Sequence, residues 1–257
     1  MTHPTRADRR SRKSGRHYVV GENEYPSATT VLGVINKPAL IPWAANLERT
    51  HVVAQAAALY ASLSPPLLDA TAFSTRLTDS LGMRAHQRRL TAAGAIGTQA
   101  HDLIEQRVRA QMTGVTPPGV DGCDPAAIRC ADAFRDWQQQ MGLVPELIEQ
   151  VVYSKTHQYA GTLDLVARLD DHHGVSRRVL IDFKTGERVY PEAFLQAALY
   201  MVALGEMGHG NVDVAYIVRL PKKGGAVEPV AVPDLPSLWP ACEAALTLWH
   251  WREAQTR

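Results

Sequence analysis

Between Gly161 and Lys184 the chain reads GTLDLVARLDDHHGVSRRVLIDFK. Two apolar runs, Thr162–Leu169 and Arg177–Phe183, flank a polar turn, Asp170–Ser176. Both runs are rich in β-branched and aliphatic residues, the pattern of a β-hairpin. Opposed residues of a hairpin have position numbers with a constant sum. A turn centred on His173 therefore sets Asp164 opposite Asp182. Opposed side chains share a face, with Cβ atoms about 5 Å apart. Two carboxylates distant in sequence then converge on one point. The same register opposes Arg168 and Arg178, which predicts a slip or bulge at the inner end.

Asp182 and Lys184 share a strand face, and Phe183 points the other way. Two carboxylates beside a lysine suit Mg²⁺ or Mn²⁺, which prefer hard oxygen ligands. The lysine would orient an attacking water or stabilise charge developing on a phosphate. An Asp-x-Lys triplet alone reads as a surface salt bridge; Asp164 at the opposed position favours the metal. Thr185-Gly186 makes a turn, and Pro191 opens a helix through about Leu204. Gln196 and Tyr200 lie one helical turn apart on one face, while Leu195, Leu199 and Val202 mark the buried side. By themselves Gln196 and Tyr200 read as a polar helix face.

Upstream, Thr98 is placed to cap a helix carrying His101 and Glu105, four residues apart. His101 then falls in the first turn, where the helix N-terminus disfavours the protonated imidazole. Glu105 is placed to accept the other ring N–H. An all-helical HD phosphohydrolase is a competing use of His101-Asp102, but it needs further ligands on helices, and the carboxylates here sit on predicted strands. Glu149 lies on a predicted strand, Leu147–Ser154, where a plain surface glutamate is nearly as good a reading.

Gly161-Thr162-x-Asp164, then Asp182-x-Lys184-Thr185-Gly186, then Gln196-x-x-x-Tyr200, in that order and spacing, resemble the RecB-type branch of the PD-(D/E)XK nuclease superfamily. Gly97-Thr98-x-x-His101-x-x-x-Glu105 is similar to the helical motif of the same branch. Tyr25-Pro26-Ser27-x-Thr29-Thr30-Val31-Leu32, with Lys37-Pro38-x-Leu40-x-x-Trp43, resembles the start of phage and prophage nucleases. The resemblance implies a restriction-endonuclease-like α/β fold, a central mixed sheet flanked by helices, with an N-terminal helical lobe. It implies Mg²⁺- or Mn²⁺-dependent cleavage of DNA. The metal would be held by His101, Asp164, Asp182 and the backbone carbonyl of Phe183, with Glu105 and Glu149 in support. Lys184 would activate water, and Gln196 and Tyr200 would hold the DNA backbone or the lysine.

With 257 residues, 46% of them hydrophobic, the chain can bury one large core. Its net charge of +1 does not announce nucleic-acid binding, so any DNA contact has to come from local clusters. Candidates are the Arg6–Arg16 tail, Arg88 and Arg89 in the Arg84–Arg89 run, and Lys222 with Lys223. Residues 1–17 hold almost nothing to bury and read as a disordered basic tail. Residues 18–257 read as one nuclease domain, with a helical lobe over 18–93 and a catalytic core over 94–257. The three cysteines form no cluster-binding set, so no iron–sulphur cluster is expected and a cytoplasmic setting is the simplest. No apolar run approaches membrane-span length.

The expected activity is that of a phage-type exonuclease in recombination or DNA processing. The alternatives are a CRISPR-adaptation nuclease of the same fold, argued against by the cysteines, and a non-catalytic DNA-binding subunit, argued against by intact Asp164, Asp182 and Lys184. DNA is the expected partner. A single-strand annealing or recombination protein and a second copy of the chain are further candidates.

Overall fold

A computed structural model describes residues 9–35, 37–63, 69–170 and 175–255. Residues 1–8 of the basic tail, the Pro65-Pro66 break and the turn at 171–174 lie outside the described residues. The rest divides into two compact units, one within Met1–Ile35 and Gly97–Arg257, the other within Asn36–Ile96.

The larger unit is built on a five-stranded mixed sheet. Its strands are β4 (Val144–Ser154), β5 (Tyr159–Asp170), β6 (Ser176–Lys184), β7 (Val214–Arg219) and β8 (Glu228–Ala231), side by side in chain order. All neighbours are antiparallel except β6 and β7. That parallel pair needs a crossover, which α6 (Glu192–Glu206) provides. From Tyr159 to Ala167, β5 is buried at every position. Its apolar run therefore shows no alternation, as expected of a strand covered on both faces.

The β5–β6 register runs from Leu165↔Ile181 to Asp170↔Ser176 without a break. This is the expected constant sum. The expected slip at the arginines does not occur, although Arg168 and Arg178 stand directly opposed. The reason lies on β4, where the register shifts between Pro145 and Leu147. Glu146, at that bulge, accepts from Arg168 Nη2 at 3.0 Å and from Arg178 Nε at 2.7 Å. One carboxylate from a third strand neutralises the repulsion.

Helices α1 (Ala28–Leu32) and α5 (Pro125–Met141) start where short polar side chains cap them. Ser27 accepts from the Thr30 N–H, and Asp124 from the Ala126 N–H with Pro125 behind it. Gly142 closes α5 in the left-handed conformation. The final helix, α7 (Leu235–Gln255), contains Trp239, Trp249 and Trp251. Trp249 is buried, whereas Trp251 is 60% exposed, so the aromatic stripe is only partly core.

Residues 9–17, expected to be without structure, instead form β1 (Arg9–Arg12) and the start of β2 (Gly15–Val20), and β3 (Asn23–Pro26) completes a second sheet. An edge strand needs only backbone pairing, and β2 is anchored by buried Tyr18, packed with Tyr25, Val151 and Ala160. Residues 18–35, expected in the helical lobe, cluster with the sheet.

The smaller unit holds α2 (Leu40–Ser62), α3 (Ala70–Leu81) and the first turns of α4 (Ala85–Thr113). Asp69 caps α3. His86 Nδ1 sits 2.7 Å from Glu48 Oε1, tying α4 to α2. None of the described residues of this unit is buried. Among the described residues, no helix is long and apolar enough to cross a membrane.

Candidate metal centre

Three elements of the larger unit meet at one point. His101 comes from α4, Glu149 from β4 and Asp164 from β5. One ligand atom of each lies within 4.8 Å of the others. His101 Nδ1 stands 3.4 Å from Asp164 Oδ1 and 3.7 Å from Glu149 Oε1. The β4–β5 pairs Ile148↔Leu165 and Gln150↔Leu163 leave Glu149 level with Asp164. Glu149 also has φ +49, a left-handed conformation uncommon for a residue with a side chain. Such backbone is kept where its surroundings over-determine it. Arg109 is part of those surroundings, since it donates to the Ile148 carbonyl at 3.1 Å.

Asp164 also accepts from the Phe183 N–H at 2.6 Å, through Oδ2. This bond lies just beyond the last β5–β6 pair, Leu165↔Ile181. The Phe183 ring stands edge-on to His101, with centroids 5.8 Å apart, and packs against Phe134 of α5. Phe183 thus walls the imidazole on one side.

Asp182 is held on a second set of contacts. Lys184 Nζ lies 2.5 Å from Asp182 Oδ2. Gln196 Nε2 reaches Asp182 Oδ1 at 3.2 Å and the Tyr200 hydroxyl at 2.8 Å, while Gln196 Oε1 accepts from Lys184 at 3.3 Å. Gln196 is the hub of this network. Tyr200 is buried behind it and packs across Gly161, where a Cβ would overlap ring atom Cε1. Asp182 is 1% exposed, but the Lys184 side chain keeps 31% of its surface. The lysine is the exposed member of that pair.

The charges follow from burial. His101 is pulled down by desolvation, but the Asp164 and Glu149 carboxylates outweigh it and raise its pKa to about 10. Asp164 also suffers desolvation, yet His101 and Lys184 hold it below the usual range. Burial pushes Asp182 up to about 6, against the pull of Lys184 and with the repulsion of Asp164. Burial would lower Lys184, and the two aspartates keep it raised. Three carboxylates, Glu149, Asp164 and Asp182, thus share the pocket with two bases, His101 and Lys184.

Some sequence expectations change here. Thr98 caps nothing, because α4 runs from Ala85 through Thr113. His101 is therefore mid-helix, and its imidazole answers to carboxylates rather than to a helix terminus. Gly97 instead allows close packing: a Cβ there would stand 3.0 Å from Thr185 Oγ1. Glu105 receives Arg109 Nε at 2.9 Å, so it bears on Glu149 through Arg109 and Ile148. Glu149 stands in the same cluster as His101 and Asp164. The length of the Lys155–Gln158 turn was the signal for its level. Arg88 contacts Met83, Leu81 and His51 within its own unit, and Arg89 is exposed. Lys222 and Lys223 occupy the turn between β7 and β8, where the Lys222 carbonyl accepts from Arg129.

No protein-family model matches the chain, and no curated protein does. Among solved structures, an alkaline exonuclease (LHK-Exo) from Laribacter hongkongensis aligns with a TM-score of 0.38 at 13% identity, over 60% of this chain and 79% of that one. LHK-Exo in complex with dAMP aligns with a TM-score of 0.35 at 14% identity, over 60% and 80%.

Proposed function

We propose that this chain is a divalent-metal-dependent deoxyribonuclease of the PD-(D/E)XK superfamily, with the RecB-type branch as its nearest pattern. The observation that carries the reading is the convergence of His101, Glu149 and Asp164 beside an Asp182–Lys184 pair. One imidazole and two carboxylates fit Mg²⁺ or Mn²⁺ by donor type, and their mutual repulsion, met by a proton on His101, is what a cation would relieve. Such an ion supplies Lewis acidity and a more acidic bound water.

The protein groups divide the remaining work. His101, Glu149 and Asp164 hold the ion, and Asp182, with the Phe183 carbonyl beside it, completes the ligand set that the motif implies. Lys184 orients the attacking water and stabilises charge growing on the phosphate. Asp182 and Gln196 hold the lysine in place, which favours the lysine over the DNA backbone as the charge of Gln196. Tyr200 steadies Gln196 through its hydroxyl. Exonucleolytic action in recombination or DNA processing is the finer reading, drawn from the motif order. DNA is the partner, reached in part through exposed basic groups such as Arg89 and Lys223.

The test is cleavage of linear DNA with Mg²⁺, with and without EDTA, by the parent chain and by Asp182→Asn. Chelation and the substitution should each abolish cleavage, while circular dichroism reports an unchanged fold. A folded Asp182→Asn that cuts at the parent's rate would remove the assignment.

A further inference from the structure

The geometry points to Arg9 as a receptor for a substrate phosphate beside the one being cut, an inference that rests on the nuclease reading above. Arg9 opens β1 and pairs with Tyr18 of β2. Its guanidinium lies 5.5 Å above the Tyr18 ring. Nη2 donates to Thr162 Oγ1 at 2.5 Å, and the same oxygen lies 3.0 Å from the Tyr18 hydroxyl. Thr162 is two residues before Asp164 on β5, roughly 7 Å at the usual strand rise. The second sheet thus sets a cation at the edge of the metal centre.

Arg9 also lacks what a structural arginine would have. Among the described residues no carboxylate pairs with it, and its Nε is buried without an acceptor. Arg12, on the same strand, is paired with Glu24. An unmet buried donor is costly, and the partly exposed guanidinium still has N–H groups that match the oxygens of a phosphate. A DNA strand lying across the metal centre offers such oxygens one or two nucleotides along, at about 3.4 Å of axial rise each. A phosphodiester within the strand and a terminal phosphomonoester share this chemistry.

The experiment measures oligonucleotide binding in the non-cutting Asp182→Asn background, by fluorescence anisotropy in Mg²⁺ over a range of salt. Adding Arg9→Ala should weaken binding about tenfold, the scale of one charge-assisted hydrogen bond. It should also flatten the slope of log K against log salt by roughly 0.9 on duplex DNA. Arg9→Lys should recover the slope but only part of the affinity, because a lysine restores charge without the fork. Single methylphosphonates walked along the strand should find one position whose neutralisation costs the Arg9 protein about tenfold and Arg9→Ala nothing. A 5′-hydroxyl in place of a 5′-phosphate then separates the sources: a penalty confined to phosphorylated ends assigns the terminal group, and one that persists assigns the internal diester. Unchanged affinity and slope in a folded Arg9→Ala, with the parent still cutting DNA, overturns the role of Arg9 alone. A parent chain that binds no oligonucleotide overturns this inference together with the nuclease reading.

Discussion

At the scale of single residues, the site separates groups that hold charge from a group that presents it. Lys184 is the presenter. Its partners, Asp182 and Gln196, are on its own side of the centre, whereas His101, Glu149 and Asp164 form the cluster of ligand atoms. Lys184→Ala should therefore lose turnover by roughly two to three orders of magnitude, the usual effect of removing one charge-stabilising donor, while calorimetry with Mn²⁺ still shows binding. Loss of metal binding together with activity would contradict this division. His101 makes a second prediction. Its pKa, raised from 6.5 to about 10, means that the metal-free protein holds a proton there throughout the neutral range. A raised folded-state pKa contributes stability below about 6.5, and that contribution fades as pH climbs to about 10. A metal must displace the same proton. Mn²⁺ binding at pH 7.5 should then release close to one proton, read from titrations in buffers of different ionisation enthalpy, and affinity should rise with pH across this window. In His101→Ala the release should vanish, and Mg²⁺-supported cleavage should fall further than Mn²⁺-supported cleavage. Proton release equal to the parent's would return His101 to a structural role.

At the scale of elements, the close approaches explain why glycine stands where it does. The Tyr200 ring crosses Gly161 on β5, with Cδ1 and Cζ 3.2 Å from where a Cβ would sit and Cε1 closer still. Tyr200 is buried and bonded to Gln196, so the ring cannot swing aside without pulling the hub from Asp182 and Lys184. Gly161→Ala should cost about 1–3 kcal/mol by overpacking, measured by urea denaturation. It should also lower turnover more than the stability loss explains at temperatures where the variant is folded. Near-native stability and rate would mean that α6 shifts freely over β5. The Glu146 bulge works at the same scale. The neighbouring strand β4 settles the Arg168–Arg178 repulsion, and the hairpin keeps the register that sets Asp164 level with Asp182.

At the scale of the whole molecule, the two units differ in how much they bury. The sheet-containing unit holds the continuous core of Leu163, Val166, Leu180, Leu199, Leu204 and their neighbours. The helical unit has no buried side chain among its described residues, although its helices are capped and cross-tied. Local opening is cheapest where few apolar contacts break. Amide exchange should therefore be much faster in 37–63 and 69–96 than in β5 and β6. Limited proteolysis should cut first within the helical unit and leave a fragment containing the sheet. Equal protection in both units would show that something outside the chain's own core stabilises the helices.

The local order of elements was legible in the sequence because it depends on near neighbours. The β5–β6 hairpin, its register and α6 after Pro191 all follow from periodicity and turn residues, and each is found. Short-range reading failed where a long-range partner decided the outcome. Arg9–Arg12 has nothing of its own to bury, and only pairing with β2 makes it a strand. Thr98 looks like a cap, but helix continues on both sides of it. Arg168 and Arg178 repel until Glu146 arrives from a third strand. Glu149 looks like an ordinary strand glutamate until the β4–β5 register and a left-handed backbone set it beside His101 and Asp164. By itself the sequence named candidate residues and the elements that hold most of them, since those depend on residue type and spacing. Only the tertiary structure decided which of them meet, because distances of a few ångströms between α4, β4 and β5 are set by packing across the sheet.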